Sequence, residues 1–457
     1  VSVSGGAQGN QVGPGNHIAY NGGAGVLVEG AATLRNTVTA NAIYRNTFEG
    51  IATNDGGNAS LTPPILSSAS ITTVVGMAPP GTTVEVFSDW KDEGEVYEGE
   101  TMATASGVFT FTKLLGLTGP FVTATTTDAA GNTSEFSAPL LAVTRTGTIT
   151  VTRALDSGTG TLRQAILSAW PGNTITFDPA VFSPTSPVTI ALDNPLPAIT
   201  QGYITIDGSH AGVTLDGSRL QGMADGLEIL SDGNTVRGLQ ILHFPRTGVR
   251  ISDAKNNRIG GDRGQGTGPV GQGNVISGNG AAGVRIGGGG AVNNVVVGNL
   301  IGTDISGTRA VGNGDFGVIL NDGASRNRGG GDAAWERNIV SGNDSIGISR
   351  RGCGGNAVVG NFVGTDVNGM LPLKNGSFGI SMEGGGFNNV VRNNLVSGNG
   401  HFGVYIGDWG SDYNVIVGNL IGTDATGSAD MGNAAAGVGI GGWLIGGWFN
   451  RIGGTRS

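Results

Sequence analysis

The sequence predicts an all-β protein in which a right-handed parallel β-helix solenoid is combined with a small β-sandwich. The phrase G-N-V-I-S-G-N-G-A-A-G-V-R-I begins at Gly273, and a phrase of the same pattern begins at Gly15 near the N-terminus. Glycine followed by aliphatic residues also recurs in the second half of the chain, at intervals of 24 to 35 residues. Repeats of this size indicate a solenoid, whose units bury their apolar faces only against neighbouring units. Between residues 62 and 143 the pattern changes to longer strands of alternating polarity, which indicates a separate module.

The composition excludes several other classes of protein. Glycine accounts for 87 of 457 residues, but proline accounts for only 16 and no strict three-residue period exists, so the chain is not collagen-like. The formal net charge of -9 disfavours nucleic acid and anionic lipid as partners. No apolar run approaches the roughly 18 residues of a membrane span, so we expect no membrane insertion. The single cysteine, Cys353, cannot form an internal disulfide. We expect it to be a small buried residue, with an intermolecular bridge or a reactive thiol as the alternatives.

The polar surface depends mainly on uncharged residues, since charged residues make up 13% of the chain. This composition is common in secreted bacterial proteins. The first residues, V-S-V-S-G-G, lack the basic segment of a signal peptide. We therefore expect the numbering to begin after a removed signal peptide or inside a larger precursor, and the protein to be extracellular or at the cell surface.

Residues 1–61 are predicted to form displaced terminal coils of a β-helix. They contain two coil-like phrases, G-V-L-V from Gly25 and G-I-A-T from Gly50, each a short strand bounded by Gly and Asn. Asparagine tolerates the left-handed backbone that tight corners need. Two coils are too few to be stable alone, so we expect this segment to need a partner.

Residues 62–143 are predicted to form the β-sandwich. Strands of alternating polarity begin at Thr82, Gly107 and Phe121, with the spacing of a small sandwich. The segment 89–100, D-W-K-D-E-G-E-V-Y-E-G-E, is acidic enough to consider calcium. Calcium loops need oxygen ligands at alternate positions, and the D-x-D-x-D-G spacing is absent. A solvated hairpin loop is the favoured interpretation.

Residues 146–457 are predicted to form the main β-helix, which begins with a capping helix. Thr161 and Gln164 have the spacing of a capping box. An apolar stripe at helical spacing follows, formed by Leu162, Ala165, Ile166, Ala169 and Trp170. We interpret this segment as an amphipathic helix that covers the first open end. The phrases T-I-T-F-D, V-T-I-A-L-D, I-T-I-D-G and V-T-L-D-G then follow as successive rungs.

Seven later glycines mark one position of the repeating coil, each followed by aliphatic residues. They are Gly248, Gly283, Gly317, Gly347, Gly379, Gly403 and Gly437. The aliphatic residues beside these glycines, such as Val284, Ile286, Ile380 and Ile406, are expected to form the core of the rungs.

These motifs together resemble secreted bacterial right-handed β-helix proteins with pectate-lyase-like coils and an immunoglobulin-like module. The resemblance rests on T-L-R-Q-A-I, I-D-G, N-x-I-S-G-N, G-N-x-I-G-T-D and the module phrase T-D-A-A-G-N-T-S-E-F, and it covers nearly the whole chain. It implies the fold and no defined activity. The order departs from that family, because residues 1–143 stand before the main β-helix rather than after it.

The residues that carry chemistry in related folds are sparse. The asparagines of N-x-I-S-G-N align at one corner, where stacked amides can hydrogen-bond between coils. Asp304, Asp366 and Asp424 also fall at equivalent corners, either as calcium ligands or, as we favour, as acceptors in Asx turns. Arg350 and Arg351 are the only adjacent basic pair in the coils, without a nearby carboxylate cluster in sequence. We therefore expect no catalytic residue and no bound cofactor, with calcium as the one alternative.

The four histidines, His17, His210, His243 and His401, occur in unrelated contexts, so no acid–base constellation is indicated. Aromatic residues concentrate near the C-terminus, at Trp409, Tyr413, Trp443, Trp448 and Phe449. They are either a strip that stacks on sugars or the last apolar layer before an open end.

The predicted function is structural: an extracellular subunit that assembles head to tail with copies of itself into a fibre or surface array. The segment 11–54 looks like the coils that should follow Gly454, so it is expected to complete the β-helix of a neighbouring copy, as in donor-strand complementation. The predicted interface residues are Ile18, Val26, Val28, Ile51, Ile440, Trp443, Trp448 and Phe449. The alternative is a secreted polysaccharide-binding or polysaccharide-lyase-like protein, with carbohydrate as its partner.

Overall fold

The computed structural model describes residues 1–90, 92–142, 147–441 and 447–453. The chain divides into two compact units, residues 1–145 and 146–457. Strands dominate both units, and the long unit is a right-handed parallel β-helix, so the predicted fold class is confirmed. The helices of the described residues are too short and too polar to span a membrane.

The long β-helix consists of three parallel sheets, and a complete coil contributes one strand to each of them. In the described residues the first sheet has eleven strands: Gly147–Val151, Asn173–Phe177, Thr205–Asp207, Thr235–Arg237, Arg258–Gly260, Val295–Val297, Arg328–Gly330, Ala357–Val359, Val390–Arg392, Val415–Val417 and Arg451–Ile452. The second sheet has nine there: Val188–Ala191, Val213–Asp216, Leu239–Leu242, Val275–Ser277, Leu300–Ile301, Ile339–Val340, Phe362–Val363, Leu395–Val396 and Leu420–Ile421. The third has eight in the same ranges: Leu227–Ile229, Val249–Ser252, Ala282–Gly287, Phe316–Asn321, Ile346–Arg351, Ile380–Glu383, Val404–Ile406 and Val438–Ile440.

The seven marker glycines all lie at the start of strands of the third sheet, as the repeat predicts. At Gly283 an added Cβ would lie 2.7 Å from the carbonyl oxygen of Gly317 in the next coil. Only glycine permits this approach. The predicted core residues are also confirmed, because Val284, Ile286, Ile380 and Ile406 are at most 1% exposed.

The strand-then-Asp-Gly phrases are not successive rungs. The strand Thr205–Asp207 belongs to the first sheet, whereas Val213–Asp216 belongs to the second. One coil therefore contributes two such phrases, since each strand of a coil has the same alternation and turns after it. The sequence pattern identifies strands here but not the sheet that each one joins.

The capping helix spans Leu162–Ser168, with Thr161 as the N-cap residue. The Thr161 hydroxyl accepts a hydrogen bond from the backbone N–H of Gln164 at 3.3 Å. The capping box is half formed, because the Gln164 side chain donates to Ser168 at 2.8 Å rather than back to the N-cap. Leu162, Ala165, Ile166 and Ala169 are buried as the stripe predicts, and Trp170 is half-buried.

Three ladders of stacked asparagines run along the corners of the long β-helix. In each ladder the backbone N–H or Nδ2 of one asparagine donates to Oδ1 of the asparagine in the next coil. The first ladder comprises Asn234, Asn257, Asn294, Asn327, Asn356, Asn389, Asn414 and Asn450. The second comprises Asn274, Asn299, Asn338, Asn361, Asn394 and Asn419. The third comprises Asn279, Asn313, Asn343, Asn375, Asn399 and Asn433. The predicted structural role of these amides is confirmed, but the single predicted corner is wrong. The two asparagines of one phrase, Asn274 and Asn279, belong to different ladders because a strand of the second sheet separates them.

Residues 1–61 form a short β-helix of the same design. Its strands are Ser2–Val3, Gln11–Val12, His17–Ala19, Val26–Glu29, Thr37–Val38, Ala42–Tyr44 and Ile51–Asn54, followed by a 3-10 turn at Gly57–Ser60. Parallel pairs such as Val26 with Ile51 connect successive coils. Asparagine ladders recur here, from Asn10 to Asn36 at 2.8 Å and from Asn16 to Asn41 at 3.0 Å.

Residues 62–142 form two antiparallel sheets, as the alternating pattern predicts. One contains Val96–Met102, Thr83–Asp89, Phe121–Thr127 and Leu140–Leu141, and the other contains Val108–Thr112, Thr73–Met77 and Ile65–Ala69. Their likeness to an immunoglobulin domain stays a prediction. This module covers the last coil of the short β-helix: Gly94 bridges Ile43, and the Glu135 carboxylate accepts the Thr53 backbone N–H at 2.8 Å. The few N-terminal coils thus have a partner within their own unit.

Candidate functional site

The C-terminal end of the long β-helix is open in the described residues. The outermost strands of the three sheets are Leu420–Ile421, Val438–Ile440 and Arg451–Ile452. Exposed fractions at this end are 40% for Leu420, 47% for Ile440 and 49% for Ile452, against 2%, 0% and 2% for their partners one coil earlier, Leu395, Ile406 and Ile416. In the described residues no further coil covers these three side chains, so apolar surface that the next coil buries elsewhere in the β-helix is exposed at this end.

The asparagine ladders give this end a polarity. Asn414 donates from its backbone N–H and from Nδ2 to Oδ1 of Asn450, at 2.8 and 3.0 Å. Asn450, Asn419 and Asn433 end the three ladders, and their backbone N–H groups have no acceptor among the described residues. The C-terminal end therefore presents hydrogen-bond donors at all three corners.

The first coil of the short β-helix is open in the opposite sense. Its ladders begin at Asn10, Asn16 and Asn21, which donate toward the next coil. The Oδ1 atoms of these three residues accept no hydrogen bond within the described ranges. This end presents acceptors at the same three corners at which the long β-helix presents donors.

The predicted interface residues lie near these two ends. Ile18 is in the outermost layer of the short β-helix and is 8% exposed. Val26, Val28 and Ile51 lie one or two coils further in and are at most 2% exposed, so the outermost coil covers them. The interface itself stays a prediction.

On the long β-helix the predicted interface residues are accessible. Ile440 is 47% exposed, Trp448 is 55% exposed and Phe449 is 72% exposed. Trp443 lies outside the described residues.

The exposed aromatic residues form an ordered pair beside the open end. The rings of Tyr413 and Phe449 are stacked, with centroids 5.1 Å apart and an angle of 14° between their planes. Both residues have a left-handed backbone with φ of 56°, directly before the ladder residues Asn414 and Asn450. This conformation disfavours a bulky side chain by about 1 kcal/mol or more. Trp409, 74% exposed, lies in the same loop region of the sequence.

A second aromatic group was missed by the sequence reasoning. Phe378, Phe402 and Tyr405 stack beside the third sheet, with Tyr405 4.7 Å from Phe378 and 5.4 Å from Phe402. The Tyr405 hydroxyl donates to the carbonyl of Gly441 at 2.6 Å. The available signal was a phenylalanine directly before the marker glycine in two successive coils, S-F-G-I and H-F-G-V.

The basic pair divides between the two sides of the third sheet. Arg350 points into the interior and is 0% exposed, so it cannot reach a ligand on the surface. Arg351 points outward and lies 3.6 Å from the Glu383 carboxylate. The pair therefore does not form a basic site on the outer face.

Two histidines of the long β-helix have different kinds of partner. His243 pairs through Nδ1 with the Asp216 carboxylate at 2.8 Å, whereas His401 packs edge-on against Phe402 with ring centroids 4.4 Å apart.

The aspartates of the G-T-D phrases are turn acceptors. Asp304 accepts hydrogen bonds from the backbone N–H groups of Thr308 and Arg309, both at 3.1 Å. Asp366 and Asp424 make the equivalent contacts in their turns. Burial acts to raise the pKa of Asp304, but hydrogen bonds from Ser306 and the backbone outweigh it and lower that pKa. Within the described residues, no three His, Cys, Asp or Glu side chains are grouped to hold a metal ion.

The acidic segment 89–100 contributes Asp89, Asp92, Glu93 and Glu95 to the lining of a cavity of about 640 Å³ within the first unit. Aromatic residues such as Tyr44, Trp90 and Phe136 line it together with Glu95. The Glu93 carboxylate accepts the backbone N–H of Asn46 at 3.3 Å, so part of this acidic loop has a structural role.

No protein-family model matches this chain, and no curated protein matches it. Among solved structures, the periplasmic alginate epimerase AlgG is similar with 15% identity and a TM-score of 0.37, over 63% of this chain and 61% of that one. Pectate lyase Pel9A is similar with 12% identity and a TM-score of 0.35, over 65% and 73% of the two chains. The A-module of the Azotobacter vinelandii mannuronan C-5 epimerase AlgE4 has 13% identity and a TM-score of 0.34, over 63% and 80%. The chain matches about 61% of the length of the first of these proteins.

Proposed function

We propose that this protein is the subunit of an extracellular head-to-tail array, in which the short β-helix of one copy continues the long β-helix of the next. The observation that carries the proposal is the opposite polarity of the two open ends. Asn419, Asn433 and Asn450 present backbone donors, and the short β-helix presents the Oδ1 acceptors of its first ladder residues. In the stacking of copies given below, Asn450 lies one layer from Asn10 of the next copy and can donate to its Oδ1, whereas Asn419 and Asn433 lie two layers from Asn16 and Asn21.

The energetic argument combines apolar burial with these hydrogen bonds. Ile440 and Ile452 are about half exposed at the open end, and burial of such surface stabilises by roughly 25 cal/mol per Å². Each ladder hydrogen bond adds about 1 kcal/mol net. Sheet edges with free backbone groups also invite another strand. All of these contributions favour a second short β-helix over water at this end.

The strand order defines how two copies meet. The long β-helix ends with strands of the second, third and first sheets in turn. The short β-helix begins with Ser2–Val3, whose sheet contains the strands that follow Gly25 and Gly50 and therefore corresponds to the third sheet with its marker glycines. Stacking therefore adds Ser2–Val3 to Val438–Ile440 and Gln11–Val12 to Arg451–Ile452. In the second sheet, His17–Ala19 comes two layers beyond Leu420–Ile421. Parallel strands lie about 4.8 Å apart. Between two copies, the second sheet therefore has room for one further strand between Leu420–Ile421 of one copy and His17–Ala19 of the next.

The contact is heterologous, since it joins two different surfaces, and it therefore repeats along an open filament. Two variants test this directly. Ile440→Lys places a charge on the C-terminal end, and Val12→Lys places one on the outermost coil of the short β-helix. Ile305→Lys is the matched control, because Ile305 is 39% exposed on a turn of the coil wall.

We expect the wild-type protein and Ile305→Lys to form filaments in negative-stain microscopy at high concentration. Each end variant alone should stay monomeric in size-exclusion chromatography, because one of its ends is blocked. Their mixture should form dimers and nothing longer, because only the free C-terminal end of Val12→Lys and the free N-terminal end of Ile440→Lys remain. Filaments of either end variant alone, or a monomeric wild type at high concentration, would contradict the proposal.

A second candidate function, carbohydrate binding, is favoured by the exposed pair of Tyr413 and Phe449. Aromatic rings that project from a disfavoured backbone conformation need a reason other than local stability. Stacking on sugar rings is one such reason. Tyr413→Asn and Phe449→Asn keep the left-handed backbone, because asparagine occupies the equivalent left-handed position at Asn256 and Asn293. A glycan array should show binding by the wild type and weaker binding by both variants, and equal binding by all three would exclude this site.

A further inference from the structure

The interior of the long β-helix contains one charged side chain in an otherwise apolar column. In the third sheet, Arg350 occupies the inward position between Leu320 and Met382, and its side chain is 0% exposed. The same position is Ile286 two coils earlier and Ile406 two coils later. The Nε, Nη1 and Nη2 atoms of Arg350 have no hydrogen-bond partner among the described residues.

The opposite wall of the same coil lacks a side chain. Gly329 occupies the inward position of the first sheet between Val296 and Val358, where every other coil has valine or isoleucine. A Cβ added at Gly329 would find no heavy atom within 4 Å. The coil therefore combines a long charged side chain with open space in the interior.

The charge of Arg350 persists in this environment. Burial lowers the pKa of its guanidinium to about 10, which leaves it protonated at pH 7. Removing a cation from water without a partner is strongly unfavourable. Water in the open space would supply hydrogen bonds but no negative charge.

In the part of the chain that the structure describes, no neighbouring side chain supplies that negative charge. Burial raises the pKa of the Cys353 thiol to about 11, so it is neutral at pH 7, and its Sγ donates to the Leu320 carbonyl at 3.5 Å. Glu383 pairs with Arg351 on the outer side of the sheet.

We propose that the open space beside Arg350 and Gly329 is a binding site for a small monovalent anion, of the size and charge of chloride. The anion is enclosed as the coils stack around it, and its role is to neutralise the guanidinium inside the β-helix. The site is independent of the assembly of copies proposed above. It is also separate from any surface that could contact a polysaccharide.

Bromide is the probe for this site, because elemental analysis detects it and its anomalous scattering locates it in crystals. The wild-type protein is refolded in sodium bromide and desalted, and its bromine content is measured by inductively coupled plasma mass spectrometry. We expect a single bromide ion to be retained per chain. The melting temperature of the wild type should rise with bromide concentration when ionic strength is held constant with a large organic anion.

Two variants test separately whether bromide binding needs the charge of Arg350 and the open space beside Gly329. Arg350→Met keeps the length of the side chain and removes the charge, and it should retain no bromide and melt independently of bromide. Gly329→Val fills the space with the residue type of the other coils and keeps Arg350, so it should also lose bromide. The combined variant should regain the stability that Gly329→Val loses. Far-ultraviolet circular dichroism checks that each variant is folded.

The proposal is overturned if the desalted wild type retains no bromide, or if Arg350→Met retains as much as the wild type. An anomalous peak elsewhere in the molecule, with only water beside Arg350, would overturn it equally.

Discussion

Replacing Asn299 by aspartate should strongly destabilise the long β-helix, although the change affects a single atom of the side chain. Asn299 is 0% exposed and lies in the middle of the second ladder. Its Oδ1 accepts from the backbone N–H and Nδ2 of Asn274 at 3.1 and 2.9 Å. Its Nδ2 donates to the carbonyls of Ile259 and Val297 and to Oδ1 of Asn338, at 2.9, 3.0 and 3.0 Å. An ionised carboxylate would place an anionic oxygen against these three acceptors.

The magnitude follows from the alternatives open to the new carboxyl group. If it takes up a proton, it has one donor hydrogen in place of the two of the amide, so at least one of the three buried acceptors loses its partner at about 1–3 kcal/mol. Protonation at pH 7 of a group with an ordinary pKa near 3.9 costs about 4 kcal/mol more, since each pKa unit corresponds to about 1.4 kcal/mol. We therefore expect Asn299→Asp to lower the free energy of unfolding by at least about 4 kcal/mol.

The control is the opposite substitution, aspartate to asparagine, at a residue whose side chain only accepts hydrogen bonds. Asp304→Asn keeps an oxygen for the N–H groups of Thr308 and Arg309 and should cost less than about 1 kcal/mol. Guanidinium unfolding monitored by circular dichroism gives the midpoints, and hydrogen exchange shows which coils open, because solenoids need not unfold in one step. Equal effects of the two variants would refute the hydrogen-bond account of the ladders.

Three further predictions concern burial, acid and the thiol. Ile406→Asp should cost several kcal/mol by burying an unpaired charge, whereas Ile440→Asp at the open end should cost much less in the monomer, and urea unfolding compares them. A hydrogen bond from Thr426 lowers the pKa of Asp424, and that of Asp304 is also lowered. These carboxylates add stability above the pKa that they have in the unfolded chain, and this stability is lost as the pH falls through their lower pKa values in the folded protein. The variant with Asn at both positions should therefore lose less stability than the wild type on acidification below about pH 4. Cys353 is 1% exposed with a pKa raised to about 11, so iodoacetamide should modify it only after unfolding, and rapid modification of the folded protein would exclude this environment.

The repeating coil was predictable from the sequence because particular residue types recur with its period, and each of them is required for a physical reason. The marker glycines are required where a Cβ would meet the carbonyl of the next coil, as at Gly283. The asparagines are required where three corners stack. Each of these constraints acts at one position of the coil, so it recurs in the sequence whenever the coil recurs. The capping helix was predictable for a similar reason, since an N-cap residue and an apolar stripe are both local.

The features that could not be predicted depend on which strands share a coil. Gly329 and Arg350 are 21 residues apart, and nothing in the sequence says that they face each other across the interior. The aromatic group of Phe378, Phe402 and Tyr405 also forms only when successive coils are placed in register. The cover that the antiparallel sheets give to the short β-helix depends on contacts between distant residues, such as Ile43 with Gly94.

The ladders also decide which pairs of ends can meet. The edge of a β-sheet exposes both donors and acceptors, so strand edges alone would allow two C-terminal ends to pair with each other. The asparagines remove this freedom. Asn419, Asn433 and Asn450 direct backbone donors outward at every corner, so two such ends would oppose donor to donor and leave these groups without partners on burial, at about 1–3 kcal/mol each. We therefore expect a cysteine introduced near Ile440 to cross-link with one introduced near Val3 of another copy, and not with the cysteine near Ile440 of a second C-terminal end. Cross-links between two C-terminal ends in the same yield would show that the ladders do not set the direction of assembly.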